Sequence, residues 1–245
     1  MLATALLLVG VAGGFPDTIR VELGSPLVDG RVYRPHRARV RVWREGADAP
    51  IREWINELAI GDSAGRAVMR WSTLGQFDAD GKPGFVLLQT YDHRTLAPLG
   101  YSLTTRGGTE VRLAIRGTRV TGTRKLGASA TPEPVDHEVE RLGFVASASD
   151  LVPLAVGLAE AKVVIAPVWG PNMPTAENRI FTVLRQEPFD VEGESVVAWR
   201  VEERRESDGK LMATWFLTDR SPYMVGGETY PASGGVERYT EVALP

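Results

Sequence analysis

The sequence predicts an all-β, mainly antiparallel fold with one short helix, arranged as a sandwich, barrel or curved sheet. Two observations carry this. From Thr18 onward, short runs of period-two or continuously apolar β-formers alternate with clusters of Gly, Pro, Asp and Asn. One segment alone, near Leu151, has helical spacing instead. The chain has 245 residues, 43% of them hydrophobic, which suffices for a large core and suits a single domain, since all-β units commonly reach about 250 residues.

Taken in order, the strands are predicted at 18–23, 32–43, 51–60, 65–74, 84–91, 96–105, 109–116, 118–124, 134–141, 161–168, 179–187, 195–206, 210–218, 222–230 and 236–243. A short helix is predicted at 150–158. Ser149 can cap it, Asp150 suits its first turn, and Leu151, Leu154, Ala155 and Leu158 form one apolar face. Pro153 is compatible because it falls in the first turn. Such a face needs cover, and packing across one face of the sheet supplies it.

Asp208-Gly209 between two β runs suits a two-residue hairpin turn. That register puts Trp199, Val201 and Phe216 on one face, and Arg200, Glu202, Arg204, Trp215 and Leu217 on the other. Trp215 would then lie diagonal to two arginines, a cation–π arrangement on a partly wet face. The stretches 127–134 and 167–175, rich in Pro and Gly, read as exposed loops inside one domain, residues 15–245.

Residues 1–14 carry no charge and run from Leu2 through Leu8 and Val9 to the small residues Gly10, Ala12, Gly13 and Gly14. They read as the apolar core of an export signal followed by a cleavage zone; a buried first strand is the alternative. The stretch is shorter than the roughly 20 apolar residues that a spanning helix needs. The expected location is periplasmic or extracellular.

Basic and acidic residues, 28 and 31, are spread along the chain to a net charge of −3, with no block suited to a phosphate backbone. Nucleic acid is not an expected partner. There is no cysteine, which removes disulfides, thiolate metal sites, thiol nucleophiles and a lipid-modified N-terminal Cys.

No motif for metal, cofactor or catalysis stands out. Asp78 and Asp80 precede Gly81 in a loop, but Gln89 occupies the position where a calcium loop needs a bidentate Glu, so a hairpin turn is the simpler reading. His36, His93 and His137 lie far apart, and the last lacks the second His of a helical zinc motif. Gly61-Asp62-Ser63-Ala64-Gly65 has the Gly-x-Ser-x-Gly spacing but reads as a hairpin turn between two β runs, not as the strand-to-helix turn of a nucleophile elbow. Gly107-Gly108 and Gly226-Gly227 are turn glycines without a following helix or Lys-Ser/Thr pair. Glu202, Glu203 and Glu206 stand among Arg200, Arg204 and Arg205, the pattern of a salt-bridged solvent face. The six tryptophans all fall in strands or at their ends, mostly as core, and a curved sheet lined with them could hold an apolar ligand.

The residues then show a resemblance. Thr90 to Leu99 (TYDHRTLAPL), Gly117 to Gly122, Ser149-Asp150-Leu151 before the short helix, Val196 to Glu202 (VVAWRVE), and Thr214 to Val225 (TWFLTDRSPYMV) resemble a family of exported bacterial β-rich domains of unknown function. The likeness covers roughly residues 60–243 and is structural, not catalytic. It implies a large curved sheet or incomplete barrel with helical material in its hollow, similar to the LolA/LolB-like periplasmic lipoprotein carriers. The expectation that follows is a non-enzymatic envelope protein binding a hydrophobic or amphipathic ligand such as a lipid or acyl chain. An interaction or scaffold protein docking another envelope component is the alternative, and an uncharacterised hydrolase the third reading. Candidate lining residues are Trp71, Leu151, Leu154, Leu158, Trp199, Trp215 and Phe216; the predicted register keeps Trp199 and Trp215 on opposite faces.

Overall fold

The computed structural model describes residues 17–75, 77, 81–231 and 234–245; the signal segment and the Asp78/Asp80 turn lie outside them. Sixteen strands form one sheet. They are β1 (Thr18–Arg20), β2 (His36–Arg44), β3 (Arg52–Ser63), β4 (Arg66–Gly75), β5 (Phe85–Asp92), β6 (Pro98–Thr105), β7 (Glu110–Arg116) and β8 (Arg119–Lys125). The rest are β9 (Glu133–Glu138), β10 (Phe144–Val145), β11 (Val163–Trp169), β12 (Glu177–Val191), β13 (Glu194–Arg205), β14 (Leu211–Leu217), β15 (Met224–Thr229) and β16 (Glu237–Ala243).

The order is β1-β11-β12-β13-β14-β15-β16-β2-β3-β4-β5-β6-β7-β8-β9, with β10 beside β11. Two antiparallel meanders, β2 to β9 and β11 to β16, are thus joined where β16 pairs with β2. Only β1 and β10 run parallel to their neighbour. The sheet does not close, so the fold is the predicted curved, mainly antiparallel one, with a single short α-helix, α1 (Leu151–Val156), among the described residues.

Alternation drives the curvature. In β2, Ala38, Val40 and Val42 are fully buried on the concave face, while the intervening Arg37, Arg39 and Arg41 lie on the convex one. Strands β3 to β5 add Leu58, Met69, Trp71 and Tyr91 to the same concave core, and β12 to β14 add Phe181, Val183, Val201 and Leu217. Helix α1 fills that hollow with Leu151, Val152, Leu154 and Ala155. A second cluster on β7 and β8 (Val111, Leu113, Ile115, Val120) is covered by Trp169 and Ala176.

Several boundaries differ from expectation for local reasons. Residues 30–32 form a 3-10 turn capped by Asp29, so β2 begins at His36. Helix α1 ends at Val156 because Gly157 adopts φ +94°, which leaves Leu158 beyond it. Its N-cap is Asp150, and the Ser149 hydroxyl is spent elsewhere. The two-residue strand β10 is too short to carry a periodic signal.

The Asp208-Gly209 hairpin is the main correction. Arg205 N donates to Lys210 O, so residues 206–209 form a four-residue loop in which only Gly209 has positive φ, +67°. A bulge follows, with Glu203 facing Ala213 and Arg204 facing Leu211. Together they slip the pairing by one residue, which moves side chains to the other face. Trp199 therefore pairs with Leu217 and Val201 with Trp215, all on the concave face, while Phe216 faces Arg200 on the convex one. The predicted cation–π contact of Trp215 is absent from this arrangement; Arg238 lies over Phe189 instead, 5.2 Å from the ring centroid.

Beyond a bulge between Val183 and Gln186, the far end of the β12–β13 hairpin folds onto the convex face. Phe189 stacks on Phe216 at 4.1 Å, and Glu192 at the tip binds Arg39 (3.3 Å) and Arg41 (2.8 Å) on β2. Gly226 leaves room for it: a Cβ there would meet the Phe189 ring and come within 2.7 Å of the Tyr239 carbonyl oxygen. Gly226→Ala is accordingly expected to cost about 2 kcal/mol, read as a lowered urea midpoint. Faster amide exchange should be confined to residues 187–198.

Candidate functional site

Inside the hollow, the segment ahead of α1 bridges the two meanders. On one side Gln89 Nε2 of β5 donates to Ser147 Oγ at 2.6 Å. On the other, Ser149 Oγ donates to Glu203 Oε2 of β13 at 3.1 Å. The Tyr33 hydroxyl donates to the Leu151 carbonyl and pins the helix start from a third direction. Ala146 and Ser147 remain exposed while Gln89, Ala148 and Ser149 are buried, so the hollow is open along this segment.

Three carboxyl groups lie in this interior. Glu203, 4% exposed, receives the Trp215 indole N–H at 2.9 Å and pairs with Arg179 at 3.4 Å. Burial still pushes its carboxyl above the ordinary range, against the pull of Trp215, Arg179 and Ser149. Asp150 is packed round by protein yet keeps part of its surface accessible, as expected on the wall of a hollow. Burial, then the charge of Glu203, raise its carboxyl to about 7. Glu241, 2% exposed, is driven well above the usual value by burial and next by Asp150. Asn56 comes near enough to oppose that shift, but neither Glu241 oxygen makes a hydrogen bond of normal geometry.

The placement of Glu203 corrects the reading of Glu202, Glu203 and Glu206 as one solvent face. Glu202 and Glu206 do lie outside with Arg204 and Arg20, whereas the alternation of β13 turns Glu203 inward. Among the described residues, no three His, Asp or Glu side chains converge closely enough to hold a metal ion.

At the end of β3 to β5 lies a cavity of about 740 Å³. Its wall is Trp54, Phe77, Phe85 and Ile51 with Thr73 and Gly75, and Arg52 and Glu53 stand at its rim. Gly75 keeps this space open, because a Cβ there would come within 3.1 Å of the Trp54 side chain. Ile51 and Phe77 are each 41% exposed and lie together on this cavity. Trp54 meets Tyr239 of β16 edge-on at 5.9 Å, while Glu241, two residues further along that strand, borders a separate pocket with Val191, Glu192 and Val242. The arginines at this end, Arg44 and Arg52, both bind Glu237.

Of the residues singled out from sequence, Trp71, Leu151, Leu154, Leu158, Trp199 and Trp215 all meet in the concave cluster around α1. Phe216 does not join them; it belongs to the convex cluster with Phe189, Val191, Ala198 and Val225. Leu154, Leu158 and Trp199 also border a smaller cleft of about 420 Å³ with Val32, Val197 and Tyr223. The 740 Å³ cavity and the Asp150 and Glu241 carboxyls were not anticipated. For Glu241 a signal exists: it follows Tyr239 at period-two spacing and pairs with the buried Val40 of β2.

Among the described residues, no helix is long and apolar enough to cross a membrane. No protein-family model matches the chain, and no curated protein matches it significantly. Among solved structures it is similar to a β-barrel-like protein of domain of unknown function DUF1849 from Brucella abortus, at 10% identity over 85% of this chain and 95% of that one, TM-score 0.46. It is also similar to the hypothetical lipoprotein YmcC from Escherichia coli, at 10% identity over 88% and 87% of the two chains, TM-score 0.31. A third neighbour, described as an outer membrane lipoprotein-sorting protein domain from Vibrio parahaemolyticus, has 11% identity over 85% and 84%, TM-score 0.25. A β-rich domain of unknown function and lipoprotein-related proteins are the kinds of relative that the sequence itself resembles.

Proposed function

We propose that this chain is a non-enzymatic envelope protein that holds a hydrophobic or amphipathic ligand, such as a lipid or acyl chain, in the hollow of its curved sheet. The aromatic-walled cavity of about 740 Å³ carries the reading. Pockets for small ligands commonly measure about 300–1,000 Å³ and combine apolar walls with a few polar groups. Trp54, Phe77 and Phe85 offer the walls, and Thr73 with the rim charges the polar groups. Export through residues 1–14 belongs to the same proposal.

Mass spectrometry of solvent extracts from the natively exported, purified protein tests it, with an identically handled exported protein as control. A stoichiometric apolar molecule is expected. Finding none, together with no uptake of a fluorescent fatty acid, would favour instead the docking of another envelope component. The variant Trp54→Ala is expected to weaken fatty-acid uptake roughly tenfold, the loss of about 1.5 kcal/mol of aromatic contact. Fluorescence titration measures this, and the far-UV spectrum should be unchanged because Trp54 is only half-buried in the cavity wall.

A further inference from the structure

We propose that the β12–β13 hairpin is a docking site for an extended peptide segment of a partner protein, aliphatic at alternate positions and basic between them, which adds as a strand along the outer edge of residues 194–198. This surface shares no lining residue with the Trp54 cavity and is independent of the ligand proposed there.

Strand pairing leaves that edge open. β14 accompanies β13 only as far as Leu217, opposite Trp199, and turns back at Thr218, whose N–H donates to Tyr223 O. From Glu194 to Ala198, β13 therefore has β12 as its one strand neighbour among the described residues. The hairpin turns at Glu192 and Gly193, with φ +55° and +95°, between the paired Val191 and Glu194. In such a two-residue turn the closing pair exchanges backbone hydrogen bonds, and the ladder alternates from there. Ser195 and Val197 thus turn their N–H and C=O groups away from β12. Across the ladder Val197 faces Pro188, which leaves the outer edge of β12 without that donor. No proline guards residues 194–198 of β13, and Val197 is 61% exposed.

A cavity occupies the place of the missing neighbour. It measures about 720 Å³ and is lined by Val191, Val196 and Val197 of the hairpin, by Val225 and Val242, and by the turn at 218–222. An added strand would bond to the open backbone of Ser195 and Val197 and send every second side chain onto these valines. An acyl chain has nothing to offer an open N–H and C=O edge. Charge selects the remaining positions. Glu192 is held by Arg39 and Arg41, and Glu241 is buried. Glu194 and Asp219 are exposed and form no ion pair among the described residues. Arg220 is the single basic residue among the described lining residues, so the rim favours a basic partner.

The test is fluorescence anisotropy of the unmodified full chain with three labelled, end-capped short peptides. One alternates valine with lysine, one alternates valine with glutamate, and the third is the lysine peptide with its amides N-methylated. The lysine peptide is expected to bind at least about tenfold more tightly than either of the others. Val197→Pro removes one N–H from the edge and should weaken that peptide about tenfold, while fatty-acid uptake stays unchanged. The double variant Glu194→Lys, Asp219→Lys alters only exposed side chains and should reverse the preference in favour of the glutamate peptide. Equal affinity for the lysine and glutamate peptides, undiminished binding of the N-methylated one, or no binding at all would overturn the assignment, whatever the fatty acid does. So would a dimer, seen by sedimentation, that Val197→Pro dissociates, because the occupant would then be a second copy of this chain.

Discussion

Replacing Asp150 by asparagine is expected to raise the thermal midpoint at pH 8 by on the order of 10 °C and to leave it nearly unchanged at pH 4. The carboxyl titrates at about 7 in the folded protein against 3.8 as an ordinary side chain, with burial the larger cause and the Glu203 charge the second. The folded state therefore holds this proton more tightly than the unfolded chain. Its contribution is fully present below about pH 3.8 and is lost as pH rises through about 7. At about 1.4 kcal/mol per pKa unit, ionising the group inside the hollow costs up to about 4 kcal/mol at pH 8, and asparagine avoids that cost. Glu203 and Glu241 shift in the same direction, so the unsubstituted protein should itself be more stable at pH 5 than at pH 8. Thermal melts at the two pH values decide the matter. An equal change at both would assign the effect to packing, and a lower midpoint at pH 8 would refute the burial of an ionisable acid.

Gly122→Ala should lower stability by about 3 kcal/mol or more, a fall in midpoint of roughly 6–12 °C for a chain of this size. Gly122 has φ +153°, a conformation that side chains rarely adopt. A Cβ there would collide with the Arg112 carbonyl, standing 2.9 Å from its carbon and 3.1 Å from Leu113 Cα. The obstacle is backbone of the paired strand β7, so no rotamer change relieves it. Gly117→Ala is the matched control. It also has positive φ, +60°, but its Cβ position is empty to 4 Å, so only about 1 kcal/mol of conformational strain is expected. If both variants melt together, the close approach at Gly122 is not what holds β7 against β8.

Strand existence was legible because it is a local property. The run His36–Arg44 alternates basic and apolar residues, and that alone assigns Ala38, Val40 and Val42 to one buried face. The helix at Leu151 was legible for the same reason, through the spacing of Leu151, Leu154 and Ala155, although its end at Gly157 was not. Register was not. An Asp-Gly pair permits a two-residue turn, but it also permits the longer loop plus bulge found here, and the choice depends on how the sheet coils around α1. That single slip brought Trp199 and Trp215 together and sent Phe216 to the convex face under Phe189.

The sequence by itself determined the all-β class, the positions of most strands along the chain and that of the one α-helix among the described residues, because hydrophobic period and turn chemistry are written within a few neighbouring residues. The tertiary structure alone decided that Glu203, Asp150 and Glu241 share an interior, and that Trp54 and Phe85 wall an open cavity. Those residues stand far apart in the chain, and the properties that matter there, desolvation and mutual charge, exist only once the curved sheet has formed around them.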